Sequence, residues 1–423
     1  MKYIGIKSNR INIVSDQLFT SNDLSIINIP EYLQNVSKED LLINYKIRNN
    51  EIVKKTDKIP TSELRVAFVN NWKMQCGIST YSENLIPQIV PKIADYKLFT
   101  EYNSTPTPSG QISSSIKEDR IVECWRRGEK LTQLLNEINA YNPDVVLIQH
   151  EFGLFPNARY WISFITQLKK QFKVVVTMHS VFHHQDKTIC EALLDDVVVH
   201  LPGAKQVLKE EKKISGNVHV IPHGCYPILN KSKLWNFYKT NNNFLQVGFG
   251  FRYKGFTQSI EAVSKLKIKY PDVFLTIIFS ESPFCKLDHE TYLYELYDLI
   301  EKLGVEENVG IIRGFQSDEV MDSYFRTNKA AVFPYQETPG HQVFGATGAA
   351  RLAFSKNIAT ITSSIPHFSD VPSIKANFSD EIAKELDSLF SDKSNIDKQL
   401  VKQEEYVKEN SWENIADKYL EIM

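Results

Sequence analysis

Hydrophobic positions along the chain fall into two patterns. From Arg65 onward, short runs of consecutive apolar residues recur: Arg65–Val69, Asp144–Ile148, Lys173–Thr177, Asp196–Val199 and Val218–Ile221. A second series follows, with Phe244–Val247, Phe274–Phe279, Val309–Ile312, Ala330–Phe333 and Ile358–Ile361. Polar stretches of helical period separate the runs, among them Thr257–Tyr270 and Thr291–Leu303. An uninterrupted apolar run of this length is a strand buried on both faces, so the pattern predicts parallel sheets covered by helices. Two series in tandem predict two Rossmann-like, doubly wound α/β domains, over 64–226 and 227–405, with the polar Lys239–Asn243 near their junction. Ligands of such sheets bind beyond the carboxyl ends of the strands, here in the crevice between the domains. Ser411 and Glu413 then open an amphipathic helix within a terminal segment, 406–423.

Residues 1–63 read differently. Tyr3–Ile6, Arg10–Val14 and Leu41–Ile47 are short strand-like runs set in Ser, Asn and Asp, and Lys54–Ser62 has linker composition. This is a small β-rich appendage of near-balanced charge. Asn103–Ser115, rich in Ser, Thr and Pro, reads as an exposed loop. Composition excludes several function classes. With 42% hydrophobic and 24% charged residues the chain is an ordinary globular protein, and a net charge of -2 supplies no general attraction to nucleic acid or anionic membrane. Five cysteines without a C-x-x-C pair argue against a disulfide framework or zinc motif and for a reducing compartment. The first residues are charged and alternating rather than signal-like, and no apolar stretch reaches spanning length. A cytoplasmic protein, at most peripheral to a membrane, is expected.

Five segments carry candidate chemistry, each directly after a strand. Cys76-Gly77-Ile78-Ser79-Thr80 is a glycine turn opening a helix, where a ligand can approach the backbone and meet free N–H groups, although one glycine also serves a plain tight turn. Gln149-His150-Glu151-Phe152-Gly153 puts polar groups at a sheet edge, and Thr177-Met178-His179-Ser180 does the same. His179 and His183 have the spacing of two metal ligands on a helix, but no third ligand is evident. Arg252 and Lys254 lie in a glycine-rich turn and could hold phosphate, Arg through two oxygens and Lys as a point charge, or form a solvated basic turn. Finally, Pro334–Arg351 runs from a strand through a glycine-punctuated loop into a helix of small residues, whose first N–H groups favour an anion; tight helix–sheet packing selects the same residues. No Asp-x-Asp pair is present to hold Mg²⁺ on a sugar diphosphate, so cations and helix termini would neutralise it and no cofactor or metal is expected.

Taken in order over residues 64–423, these segments resemble the GT-B glycosyltransferases, specifically glycosyltransferase family 4. The glycine turn at Gly77, the "QHE-aromatic-G" loop at Gln149–Gly153, the "T-x-H" strand end at His179, the "IPHG" at Ile221–Gly224, the Arg252/Lys254 turn before Gly255 and the Arg313-Gly314-Phe315-Gln316-Ser317-Asp318-Glu319 turn are each similar to family motifs. The resemblance implies a GT-B fold, a last helix crossing back to the first domain, and transfer of a sugar from a nucleotide diphosphate sugar to an acceptor hydroxyl with retention of configuration. It places the donor against Gly77, Gln342, Val343, Phe344, Gly345, Arg313, Gly314 and Phe315, catalysis on His179, Arg252 and Lys254, and the acceptor beside His150 and Glu151. The family's pair of glutamates, with seven residues between them, falls on Gln342 and Ala350 here: Gln can still bond a sugar hydroxyl, Ala cannot. A saccharide acceptor is the first expectation. A hydroxymethylated base of DNA is the alternative, opposed by the neutral charge balance, and a non-catalytic nucleotide-sugar-binding protein is the second, prompted by the missing glutamates.

Overall fold

A computed structural model of the chain describes residues 3–7, 10–15, 25–38, 40–41, 45–48, 51–54, 59–102, 116–184, 195–228, 241–282, 285–337 and 342–423. The loop expected over 103–115 lies outside them.

The appendage contains an antiparallel sheet of β1 (Tyr3–Lys7), β2 (Arg10–Ser15) and β3 (Ser25–Asn28), in the order β2-β1-β3, and a hairpin of β4 (Tyr45–Arg48) and β5 (Glu51–Lys54). Ile4, Ile11, Ile29, Leu33, Leu41 and Ile52 form its small core. The strand expected at Leu41–Ile47 begins only at Tyr45; Leu41 instead sits in a helical turn, buried in that core.

The first domain holds β6 (Arg65–Asn70), β7 (Asp95–Glu101), β8 (Ile121–Trp125), β9 (Val145–His150), β10 (Lys173–Met178), β11 (Asp196–Val199) and β12 (Asn217–Val220). They form one parallel sheet ordered β12-β11-β10-β9-β6-β7-β8. Helices α1 (Gly77–Ile89), α2 (Thr132–Tyr141) and α3 (Ala158–Lys169) cover it. Alternate residues of each strand feed two apolar layers, so that Val146 and Ile148 pack on one face and Val145 and Leu147 on the other. The second domain repeats the plan with β13 (Asn243–Phe249), β14 (Phe274–Ser280), β15 (Val309–Arg313), β16 (Ala330–Phe333), β17 (Ala359–Thr362) and β18 (Ile374–Lys375), in the parallel order β15-β14-β13-β16-β17-β18. Its helices are α4 (Phe256–Leu266), α5 (Lys286–Leu303), α6 (Asp318–Thr327), α7 (Gly348–Ser355), α8 (Ser379–Ser391) and α9 (Lys393–Glu409).

The chain crosses between the domains twice, and the crossings are paired: Cys225 N–H donates to the Asn410 carbonyl at 2.8 Å and Trp412 N–H to the Cys225 carbonyl at 3.3 Å. The last helix, α10 (Trp412–Ile422), then packs on α1 of the first domain through Trp412, Ile415, Ala416 and Tyr419. Gly224 permits this, because a Cβ there would stand 2.3 Å from the Trp412 ring. Among the described residues no helix is long and apolar enough to cross a membrane.

Candidate functional site

Each sheet has one topological switch point, where the strand order reverses: between β6 and β9 in the first domain, and between β13 and β16 in the second. Side chains beyond the carboxyl ends of these four strands are the candidates for ligand contact.

In the second domain the turn after β13 is Arg252–Lys254, one turn of 3₁₀ helix closed by Gly255 at φ +74°. A Cβ on Gly255 would strike the Pro334 carbonyl oxygen at 2.0 Å, so the turn lies against the loop that follows β16. Gln336 N–H adds a 2.7 Å bond to the Tyr253 carbonyl. The clamp expected of Arg252 and Lys254 does not form. With three residues per turn, residues two apart project about a third of a turn from each other. Arg252 swings outward, gives Glu295 two hydrogen bonds of 2.6 and 2.7 Å, and lies over the Tyr292 ring. Lys254 turns inward, its Nζ 3.9 Å from the centroid of Tyr335 and 4.8 Å from that of Tyr253. Burial holds its pKa below the usual ammonium range, partly offset by Tyr253. No carboxylate pairs with it among the described residues.

Tyr335 links Lys254 to the start of α7. Its N-cap, Thr347, gives no side-chain bond to the helix; the hydroxyl is engaged with Tyr335 Oη at 3.1 Å. The first residues, Gly348, Ala349 and Ala350, carry little side chain to cover the N–H groups, and Ala350 is fully buried. Arg351, also buried, donates to the Thr347 carbonyl at 2.8 Å and to Asp370 at 2.5 Å. Arg313 is exposed and paired with Glu281; Gly314 has φ +91°, and the Phe315 ring lies 6.3 Å from Phe249 at the end of β13.

In the first domain, Gly77 opens α1 exposed, and a Cβ built on it meets nothing within 4 Å. Deeper at the same edge, Asn71 donates to Glu101 at 2.6 Å, and Arg127 meets Glu101 through bonds of 2.8 and 3.0 Å. His150 does not reach the acceptor side expected of it. The last residue of β9 points into the core, where its ring packs against Phe152, Phe155 and Trp161. Neither ring nitrogen has a partner among the described residues, and burial pushes its pKa down to about 3. Glu151 accepts from Ser180 Oγ at 2.7 Å and from Phe152 N–H at 2.9 Å, while burial raises its pKa.

His179 stands at the end of β10, but both its ring nitrogens are occupied within the first domain. Nε2 is 2.8 Å from Gln149 Oε1, and Nδ1 is 3.4 Å from His200 Nε2, whose own Nδ1 lies 2.9 Å from the Ile221 carbonyl. A carbonyl only accepts, so His200 donates from Nδ1 and offers a lone pair at Nε2. His179 complements it by donating from Nδ1, and Gln149 satisfies the remaining nitrogen once its amide is turned to present N–H. Burial and the neighbouring histidines hold the His179 pKa well below the ordinary value, so the ring is neutral. Tyr81 packs against His179, His200 and His223 together. Tyr81 and His200 were not singled out by sequence, and Arg351 only closed the Pro334–Arg351 segment without a role: Tyr81 and Arg351 sit inside helices at positions that periodicity marks only as core, and His200 directly follows β11.

The two carboxyl edges meet. Val181 and Phe344 exchange backbone hydrogen bonds of 3.2 and 2.9 Å around the Phe182–Val343 bridge. The Phe344 ring rests on Gly203. Gly345 lies against the His179 carbonyl, which a Cβ would approach to 2.6 Å. Gln342 takes a 3.2 Å bond from His183 Nε2, whose Nδ1 is held by Glu211. Gln342–Gly345 therefore join the domains. His179 and His183 are not gathered with other ligands, and among the described residues no group of three or more His, Cys, Asp or Glu is placed to hold a metal ion.

Residues 228–414 match the sequence model of the family described as "Glycosyl transferases group 1". No curated protein matches the chain by sequence. Among solved structures, a glycosyltransferase from Rickettsia africae is 16% identical with a TM-score of 0.64, covering 85% of this chain and 97% of its own. HepE of Anabaena, solved with UDP, is 10% identical with a TM-score of 0.62, covering 85% and 99%. Sucrose-phosphate synthase of Thermosynechococcus elongatus is 16% identical with a TM-score of 0.60, covering 85% and 98%. At these identities the likeness establishes the fold, which is GT-B.

Proposed function

We propose that this GT-B glycosyltransferase moves a sugar from a nucleoside diphosphate sugar to an acceptor hydroxyl, with retention of configuration and with cations of the chain, rather than a divalent ion, neutralising the departing diphosphate. The carrying observation is Lys254. Its ammonium stands half-buried at the switch point of the second sheet, against two tyrosine rings, one of which reaches an uncapped helix start, with no carboxylate among the described residues to balance it. Withdrawing a charge from water without a counter-charge is costly, and a diphosphate in the niche would remove that cost. HepE, which shares the fold, was solved with UDP, and this supports a nucleotide as a ligand of this chain.

As the bond from the anomeric carbon to the leaving oxygen breaks, negative charge grows on the diphosphate and positive charge on the sugar. Lys254 Nζ and the first N–H groups of α7 stabilise the former. The acceptor oxygen bonds to the anomeric carbon, and its proton passes to the leaving phosphate oxygen. No side-chain base is required, which suits a neutral His179 with both nitrogens engaged. A saccharide hydroxyl is the acceptor this reading favours, held near Glu101, Asn71 and Arg127 of the first domain. The test is a screen of nucleotide sugars for hydrolysis and transfer, with EDTA present, and NMR of the product anomer. Lys254→Met keeps the length of the side chain and removes the charge; it should lower kcat/KM by about 100-fold, roughly 3 kcal/mol. Turnover unchanged in Lys254→Met sinks this assignment.

A further inference from the structure

The turn after β17 is absorbed by none of the motifs. Pro366–Phe368 makes one 3₁₀ turn there, and His367 projects from it into the niche of Lys254. Its ring centroid lies 6.4 Å from Tyr253 and 6.0 Å from Tyr335, the same two rings that flank the Lys254 ammonium. The imidazole is half-buried and makes no hydrogen bond to another described residue. Three segments thus converge on one point: the turn after β13 with Tyr253 and Lys254, the loop after β16 with Tyr335, and the turn after β17 with His367. The fourth neighbour is the start of α7, behind which Arg351 is paired with Asp370.

We propose that His367 is a contact for the diphosphate of the donor and takes up a proton from solvent as that diphosphate binds. The proposal rests on the donor reading above and adds a residue and a linked proton to it. In the free protein an imidazolium would be buried near two cations; burial first, then Lys254 and Arg351, press its pKa down to about 3. A bound diphosphate reverses the sign of the local field. The imidazolium then becomes the favoured form and donates a charge-assisted hydrogen bond to a phosphoryl oxygen. The free protein binds fewer protons than the complex, so affinity rises as pH falls through the pKa of the bound state, by at most about tenfold per pH unit.

The experiment is calorimetry of UDP, GDP and ADP on the full chain, in buffers of different ionisation enthalpy, with wild type and His367→Asn. The nucleotide's own phosphate titrates in both proteins, so the difference between them isolates the side chain. Wild type should take up more protons at pH 7, the difference approaching one. The Kd of His367→Asn should exceed the wild-type value about tenfold at pH 6.5 and match it at pH 9, which also shows that the variant is folded. Equal proton uptake by the two proteins, or parallel pH profiles, overturns the proposal while leaving the donor reading intact. If none of the three nucleotides binds wild type, the donor reading fails and takes this proposal with it.

Discussion

Substituting Gly77 separates stability from ligand contact more cleanly than any other change in the site. A Cβ added at Gly77 has no neighbour within 4 Å, and its φ is not in the left-handed region. Alanine therefore fits the folded chain without strain. It also restricts the unfolded chain, so Gly77→Ala should stabilise by about 0.5 kcal/mol. That corresponds to a rise in melting temperature of roughly 1–2 °C for domains of this size. If a ligand lies on the backbone of this turn, however, the methyl group takes the space it needs. Overpacking of one methyl in a close contact costs about 1–3 kcal/mol, which is about 5- to 150-fold in affinity. Thermal unfolding of the free protein and calorimetry with the nucleotide or nucleotide sugar that binds wild type give the two numbers. A higher melting temperature with weakened binding supports a ligand on the turn. Unchanged binding and turnover in Gly77→Ala refutes it, and leaves the glycine with no part in the site.

Two further outcomes test the neighbourhood. Gly345→Ala drives a methyl group to 2.6 Å from the His179 carbonyl and should break the paired bonds of Val181 and Phe344. A loss of about 1–3 kcal/mol is expected, read as faster proteolysis or exchange at residues 181 and 344; protection equal to wild type would contradict the docked loop. His150→Phe changes the acid limb of stability. The folded His150 has a pKa near 3 against about 6.5 unfolded, so the unfolded chain binds the extra proton below pH 6.5 and stability falls with pH there. At pH 5 that is about 2 kcal/mol, and denaturant titrations should show the variant gaining about this much on wild type between pH 8 and pH 5. The same difference at both pH values would mean that His150 is not neutral and buried.

Most strands of both sheets were legible because burial on two faces leaves a largely apolar run, as in Val145–Ile148 and in Phe274–Phe279, where Thr276 is the one polar residue. β7, β8 and β18 were not: Asp95, Lys97 and Thr100 interrupt β7 although most of its residues are buried, Glu123 interrupts β8, and β18 has only two residues. Strand ends were legible as positions and not as directions. His150 and His179 stand at the ends of neighbouring strands but one step apart: His150 pairs with Met178 across β9 and β10, and His179 falls one residue beyond that pair. One ring is in the core and the other at the domain contact. The pleat decides which way each side chain leaves the sheet, and no single polar residue at a strand end reveals that. Arg252 and Lys254 failed as a pair for the corresponding helical reason. His367 had no signal at all: one His after Pro366 in a polar segment is indistinguishable from a surface turn until β16 and β17 are set side by side.

The glycines show how such ambiguity resolves. Sequence marks Gly77, Gly345 and Gly348 alike, as small residues beside a strand end or helix start. Their surroundings divide them. Gly345 is needed by the protein itself, since the His179 carbonyl stands where its side chain would be. Gly203 and Gly224 are of the same kind, each filled by a ring, Phe344 or Trp412, at the junction of the domains. Gly348 has only the edge of His223 at 3.4 Å, and Gly77 has nothing. Selection for close packing explains the first three and leaves the last two unexplained, because an open position at a helix start gains from alanine unless something outside the chain comes close. Those two face the site from opposite domains. A ligand that touches both would bridge the seam beside the Val181–Phe344 pairing, so Gly77→Ala and Gly348→Ala should weaken one and the same binding event, whereas Gly345→Ala should loosen the domains with or without ligand.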